Sequence, residues 1–327
     1  MKILVTGASG FIGRFIVEEA MKRGLEVWAG VRGSSSRSFP DNSRMRFIEL
    51  PFEDRPRLRE VMKEHVEQHG KWDYIVHNAG VTKCINVDEF DRVNFMNTES
   101  FVETLIEIDA APTKFVLMSS LSARPEPDTE YGKSKRKAER LLEETVNFPY
   151  IILRPTGVYG PRERDYLMML KSVNAGWNFT AGFFPQRLTF IFVKDLVKAV
   201  FLALESEMVR KIYCVADGEV YSDREYAETV RRALGKKRVI RIRVPLPVLK
   251  TVCMISDFIG KMTGKPATLN RDKYRILKQR DWTCDIQPIV SDLGFRADYG
   301  LSRGMAESIE WYRENGWLKD NYTKKNR

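Results

Sequence analysis

Two apolar patterns alternate along the first half of the chain. Unbroken apolar runs, KILVTG (2–7), EVWAGVR (26–32), MRFIEL (45–50), DYIVHNAG (73–80), KFVLMSS (114–120) and YIILRP (150–155), read as strands buried on both faces. Between them, apolar residues return every three or four positions, the mark of an amphipathic helix. This holds in FIGRFIVEEAMKRG, which stops at Gly24, in the charged RPRLREVMKEHVEQHG, in RVNFMNTESFVETLIEI and in YGKSKRKAERLLEETV. Such βαβ repetition predicts an α/β fold over residues 1–160: a doubly wound parallel sheet (Rossmann) with helices on both faces.

After about Pro155 the texture changes. TGVYGPRER reads as a loop and DYLMMLKSV as a short helix, while LTFIF and KIYCVA read as strands that rejoin or flank the sheet. SDREYAETVRRALG is an amphipathic helix with Ser222 as its N-cap, and VIRIRV alternates like a half-exposed strand. From Pro245 to Trp317 the pattern is mostly helical, so residues 161–327 are expected to form a smaller, mostly helical C-terminal substrate lobe interleaved with the last strands. Its apolar stretch PLPVLKTVCMISDFIGKMTG reads first as packed core, with a substrate wall or a weak membrane contact as alternatives.

The turn after the first strand carries the first chemistry. TGASGFIG spaces Gly7, Gly10 and Gly13 as GxxGxxG between a strand and a helix. Gly7 permits a tight turn, Gly10 lets the backbone approach a pyrophosphate, and Gly13 allows close helix–strand packing. Together with Ser9, Phe11 and Ile12, they would point helix-start N–H groups at an anion. The second strand ends AGVRGSSSR, without an acid and with Arg32 and Arg37 flanking Ser34 to Ser36. Arginine there accommodates a 2′-phosphate, whereas an acid would bind the ribose hydroxyl of NAD; NADP is therefore the preferred cofactor, NAD the alternative. A polar loop with no ligand is the competing reading of that segment.

Charge and cysteine usage narrow the class. A net charge of +10, from 54 basic and 44 acidic residues, suits anionic ligands. The densest basic runs, at 133–137 and 236–243, stand beside no nucleic-acid-binding motif, so no nucleic-acid partner is expected. Cys84, Cys214, Cys253 and Cys284 are widely spaced and read as reduced thiols. With structure starting at residue 2 and no integral membrane segment, a cytoplasmic protein is expected, and a homodimer is compatible with it. His65 and His69 lie four apart on a charged helix; without a third ligand they read as solvated surface, so no metal is expected, and His77 reads as packing or a cofactor-side contact.

The remaining motifs carry a family resemblance. HNAG (77–80), VNFMNT with Asn94, MSSLSA, YGKSK and RPTGVYGPRE follow the glycine loop in an order that resembles the extended short-chain dehydrogenase/reductase family. That family includes nucleotide-sugar epimerases and dehydratases, 3β-hydroxysteroid dehydrogenases and dihydroflavonol reductases. The resemblance implies a catalytic set of Ser120, Tyr131 and Lys135. Tyr131 would be the acid/base, Lys135 on the same helix face would, together with an oxidised nicotinamide, lower its pKa and also hold the nicotinamide ribose, and Ser120 would hold the substrate oxygen. It also implies cofactor contacts by Asn78, Ala79, Gly80, Asn94, Ser119, Pro155 and Thr156.

Departures from the family pattern shape the rest of the expectation. Pro51 stands where an adenine-binding aspartate is common, leaving Phe52 as the candidate there. Only LSARPEPDTE separates Ser120 from Tyr131, and Ser122, a lesser substrate candidate, replaces the acid of a dehydratase pair. Arg162, Arg164 and Arg187 are candidates for an anionic substrate, and a helix is expected to restart at Asp195. The expected function is an NAD(P)-dependent oxidoreductase or epimerase moving hydride between nicotinamide and a secondary alcohol or ketone carbon of a small-molecule substrate, including a nucleotide sugar. The alternatives are a dihydroflavonol-reductase- or steroid-dehydrogenase-like ketone reductase and a non-catalytic cofactor-binding protein.

Overall fold

The computed structural model describes residues 1–33, 45–264 and 267–319. Its chain divides into two compact units. The first contains residues 1–155, 197–215 and 287–295; the second contains 156–196, 216–286 and 296–327.

The first unit is built on a seven-stranded sheet. Strands β1 (Lys2–Thr6), β2 (Glu26–Val31), β3 (Met45–Glu49), β4 (Tyr74–His77), β5 (Lys114–Met118) and β6 (Tyr150–Pro155) are joined by Lys211–Val215. The order across the sheet is Lys211–Val215, β6, β5, β4, β1, β2, β3, and every pairing is parallel. KIYCVA therefore rejoins the sheet, on β6. Phe190–Phe192, from the LTFIF run, lies in the second unit and pairs instead with a short strand at Gly157–Tyr159, inside a stretch expected to be loop. β5 is buried at every position because helices cover both its faces. Helix α1 (Phe11–Lys22) buries Gly13, Ile16, Val17 and Ala20. Helix α2 (Arg55–His69) starts where the Asp54 side chain accepts the Arg57 N–H at 3.1 Å. A core of Trp72, Phe101, Phe115, Phe148 and Leu142 fills the sheet–helix layer.

One helix differs from its periodicity. The run expected as a single α-helix is a π-helix over Asp91–Met96 that continues as an α-helix over Asn97–Glu107. The wider turn inserts one residue into the ladder, a feature found mostly at functional sites. Asn94, in that turn, is buried.

In the second unit, Tyr159, Phe190, Phe192, Tyr226 and Tyr312 form a separate aromatic core. Ser222 and Glu225 make a reciprocal capping box at the start of the Asp223–Ala233 helix. The helix expected to restart at Asp195 begins at Val193, and the Asp195 carboxylate accepts the main-chain N–H groups of Asp298 (2.9 Å) and Tyr299 (3.0 Å). Ile240–Val244 pairs in parallel with Trp177–Ala181. The core reading of the apolar stretch after Pro245 is overturned. Helix Leu246–Thr263 buries only Leu249, Cys253 and Gly260, and most of its large apolar side chains are exposed. Among the described residues, no helix is long and apolar enough to cross a membrane.

Candidate active site

The glycine loop has the geometry its spacing implies. Gly7 adopts φ +64°, and a methyl built on it would lie 2.9 Å from the Ala79 backbone. A methyl on Gly13 would stand 2.2 Å from the Gly7 carbonyl oxygen, so any side chain there drives the helix off the loop. The N-cap of α1 is Gly10, without a side chain bonded to the first turn and without an acid in that turn. A helix start built this way presents N–H groups and positive dipole to an anion, so the residues fit a dinucleotide pyrophosphate.

A second set of contacts ties this loop to the end of β4. Thr6 Oγ1 accepts the N–H groups of Asn78 and Ala79, both at 3.1 Å, and lies 3.0 Å from His77 Nδ1. His77 Nε2 lies 3.0 Å from Thr98 Oγ1. Burial pushes the His77 pKa down to about 3, so the ring is a neutral bridge between two threonines. Its role is packing and positioning, while Asn78, Ala79 and Gly80 form the turn above it.

Asn94 pins the next turn. Its Oδ1 accepts the Val81 N–H at 2.8 Å, and its Nδ2 donates to the Val81 carbonyl and to Ser134 Oγ, each at 3.0 Å. Ser134 Oγ in turn donates to the Tyr131 carbonyl at 2.8 Å. A methyl on Gly80 would meet Asn94 Oδ1 at 2.8 Å and Lys135 Nζ at 3.1 Å. Gly80, Asn94 and Lys135 therefore share one small space that only a glycine leaves open.

Tyr131 and Lys135 enter on the helix Glu130–Thr145, started by the Thr129 hydroxyl accepting the Gly132 N–H at 3.0 Å. The Lys135 ammonium donates to the Met118 carbonyl at 3.0 Å. Burial lowers its pKa to about 8, against an upward pull from Glu139. Burial raises the Tyr131 phenol above its ordinary value, and a hydrogen bond with Ser120 acts in the opposite direction. Within the protein's own surroundings desolvation is the larger influence, which keeps the phenol in its proton-bearing form; the lowering expected from Lys135 is one it exerts together with an oxidised nicotinamide. Ser120 caps a short 3₁₀ turn by accepting the Ser122 N–H at 3.1 Å, and Ser122 is buried. The site brings Ser120 and Tyr131 together, with Lys135 one turn further along the helix.

Other candidates fall elsewhere. The Ser119 hydroxyl donates to Glu139, away from the serine–tyrosine pair. Glu139 is almost fully buried and forms a two-pronged pair with Arg154, one contact being 2.8 Å. Sequence patterning missed this pair, although Glu139 lies on the Lys135 helix face at i+4. The Phe52 ring is packed edge-on against Phe101 (5.6 Å) and His77 (5.9 Å), so only its main chain remains for an adenine. Pro155 ends β6, and the Thr156 hydroxyl is buried with no hydrogen-bond partner.

Arg32 is exposed just past the end of β2, while Arg37 and Ser34 to Ser36 lie outside the described residues. An acid does approach that strand end. Glu49 of β3 is in register with Val31, and a methyl on Gly33 would lie 2.8 Å from its Oε1. In the second unit, Arg162 is half-buried with φ +74°. Arg164 is exposed and stands over the Trp317 ring at 5.4 Å. Arg187 is exposed and paired with Asp281 at 3.0 Å. The surface reading of the α2 histidines is corrected. His65 is buried, stacked on Trp72 at 4.1 Å, with its pKa lowered to about 4 by burial. His69 packs against Trp28 at 4.9 Å. Among the described residues, no three metal-ligating side chains cluster.

A glycine loop closed on an anion-ready helix start, followed by Ser120 and Tyr131 with Lys135 one turn along, is an arrangement that fits a dinucleotide-dependent hydride-transfer enzyme. Residues 3–216 match the NAD dependent epimerase/dehydratase family, and the chain belongs to that family. Over 98% of its length it is 26% identical to a ceramide reductase of Caulobacter vibrioides, covering 96% of that protein. Its fold is similar to the UDP-glucose 4-epimerase of Thermotoga maritima, with a TM-score of 0.75, 21% identity and coverage of 96% and 99% of the two chains. The Thermus thermophilus UDP-glucose 4-epimerase, solved with NAD, gives a TM-score of 0.70 at 21% identity, covering 96% and 99%. The protein is an oxidoreductase or epimerase that uses a nicotinamide dinucleotide.

Proposed function

We propose that the chain is a reductase that converts a ketone on a substrate with an apolar chain into a secondary alcohol, with NADPH as the preferred dinucleotide. The observation that carries this reading is the similarity, over nearly the full length of both chains, to a protein named as a ceramide reductase, beside a Tyr131 hydroxyl hydrogen-bonded to Ser120 and able to give a proton. When bound, the reduced dinucleotide supplies a hydride to the carbonyl carbon. Tyr131 gives its proton to the carbonyl oxygen, and Ser120 holds that oxygen by a hydrogen bond. Lys135, one turn along the helix, supplies positive charge that favours the phenolate left behind. The Met118 carbonyl holds the Lys135 ammonium, and the lack of a side chain at Gly80 leaves open the space beside it that would take the nicotinamide ribose.

An apolar substrate is supported by the ceramide reductase, a relative by sequence over nearly the full length of both chains. Arg187, a candidate for anionic substrates, is already neutralised by Asp281. Arg32 supports NADPH, and Glu49 beside Gly33 opposes it by repelling a 2′-phosphate. The second reading is a nucleotide-sugar epimerase, supported by similarity of fold to UDP-glucose 4-epimerases. Purified protein supplied with NADPH and a panel of long-chain ketones should consume NADPH stoichiometrically with alcohol formed. Interconversion of UDP-sugars without net NADPH consumption would replace this reading with the epimerase. Tighter binding of NADH than of NADPH would overturn the cofactor preference.

A further inference from the structure

We propose that the helix Leu246–Thr263 and the adjoining Phe183–Phe184 loop form a docking face that rests on an anionic lipid bilayer. The proposal is independent of the reaction and rests on a face that the core does not use.

At 100° per residue, Val248, Val252, Ile255, Ile259 and Met262 fall on one stripe of the helix. Met254 and Phe258 widen that stripe to an arc of about 160°. All seven side chains are exposed, Phe258 by 63% and Met262 by 74%. The buried residues Leu249, Cys253 and Gly260 lie on a different side, so the helix is anchored to its unit by a narrow contact and turns its wide apolar arc outward. Phe183 and Phe184, 59% and 62% exposed, line one cleft with Pro245, Leu246 and Pro247 at the start of the helix. They extend the apolar face beyond one element. Isolated exposed apolar residues need no explanation, but a continuous face of this kind marks an interaction surface.

The charge around the face selects the occupant. Residues 236–280 hold thirteen lysines and arginines against two aspartates, while the whole chain has a net charge of +10. The excess positive charge of the protein is thus concentrated in the segment that contains the apolar helix. Lys250 and Lys261 fall beside the Met254 edge of the arc, and Lys278 and Arg280 line the Phe183–Phe184 cleft. Arg280 stacks over the Phe184 ring at 4.1 Å, keeping a cation next to an apolar tip. An apolar arc bordered by lysines is the composition of a helix that lies in the headgroup layer, with its apolar side in the acyl boundary and its cations on anionic headgroups. A second copy is a poorer fit, because a two-fold contact through this face would bring its basic border against an identical one.

The test is sedimentation of the full chain with phosphatidylcholine vesicles, with and without phosphatidylglycerol. The protein should pellet with the anionic vesicles, about tenfold more strongly than with neutral ones, and release as salt rises to about 0.5 M. Ile255→Glu combined with Ile259→Glu should reduce partitioning at least about tenfold while leaving dinucleotide binding intact. Phe183→Ser combined with Phe184→Ser, on a separate loop, should weaken it in the same sense and guards against misfolding of the helix variant. Wild-type protein that stays in the supernatant with anionic vesicles overturns the proposal. So does undiminished binding by both double variants, or a wild-type dimer that Ile255→Glu splits in the absence of vesicle binding.

Discussion

Replacing Lys135 by methionine should make the protein more stable and nearly inactive. The side chain is only 7% exposed, and burial lowers its pKa from an ordinary 10.5 to about 8. Below pH 8 the amine is charged in both the folded and the unfolded chain, and folding bears the full cost of burying that charge. A depression of about 2.5 pH units corresponds to about 3 kcal/mol. Between pH 8 and 10.5 the unfolded chain binds more protons, so stability rises with pH until the cost vanishes. Methionine removes the buried charge at similar length but gives up the hydrogen bond to the Met118 carbonyl, worth about 1–2 kcal/mol with the carbonyl left unpaired. The variant should therefore gain about 1–2 kcal/mol at pH 7 and lose about 1–2 kcal/mol above pH 10.5. Urea unfolding of both proteins at pH 7 and near pH 10, without dinucleotide, measures the gap. A variant less stable at pH 7, or a gap that does not change with pH, refutes the reasoning. Turnover in the same variant should fall at least about a hundredfold, since the charge that favours the Tyr131 phenolate is gone.

Other perturbations separate the parts of the site. Tyr131→Phe should lower turnover about 10²–10⁴-fold with dinucleotide affinity unchanged, as read by steady-state kinetics beside fluorescence titration; normal turnover in a folded variant removes Tyr131 from the chemistry. Gly13→Ala should weaken dinucleotide binding at least about tenfold and destabilise the fold, although alanine stabilises an ordinary helix position by about 1 kcal/mol. The reason is the 2.2 Å approach to the Gly7 carbonyl, and a variant with a raised melting temperature would show that the loop yields freely. Glu139→Gln should cost about 3 kcal/mol in chemical unfolding, because it leaves the Arg154 guanidinium partly buried beside a neutral amide. Arg32→Glu should weaken NADPH more than NADH in parallel titrations, and equal effects on both would exclude a 2′-phosphate contact.

Much of the candidate site was legible in the sequence because its elements are local. A strand, a glycine turn and a helix start are consecutive in TGASGFIG, so spacing alone places the anion-ready N–H groups. Tyr131 and Lys135 share a helix face because four residues make about one turn. The parallel sheet follows from the alternation of buried strands with amphipathic helices, whereas the order of its strands, with β1 between β2 and β4, is set by tertiary pairing. What the sequence could not assign depends on partners far along the chain. Phe52 and Ser119 have residue types that suit a ligand, yet their side chains are taken by Phe101 and Glu139. His65 sits on a helix of charged residues but stacks into an aromatic cluster that only the tertiary packing assembles. The π turn at Asn94 leaves the periodicity of its helix almost unchanged.

The apolar helix after Pro245 shows the division most clearly. Composition alone marks Leu246–Thr263 as helical and apolar, and burial is the ordinary outcome for such a segment. Periodicity reports which side chains share a face, and it carries no information on whether another element covers that face. Only the tertiary structure decided that Leu249 and Cys253 turn inward while Ile255, Phe258 and Met262 stay in solvent. The hydrophobic effect drives apolar surface out of water without specifying the partner, so the identity of that partner is a property of the assembled fold and its surroundings.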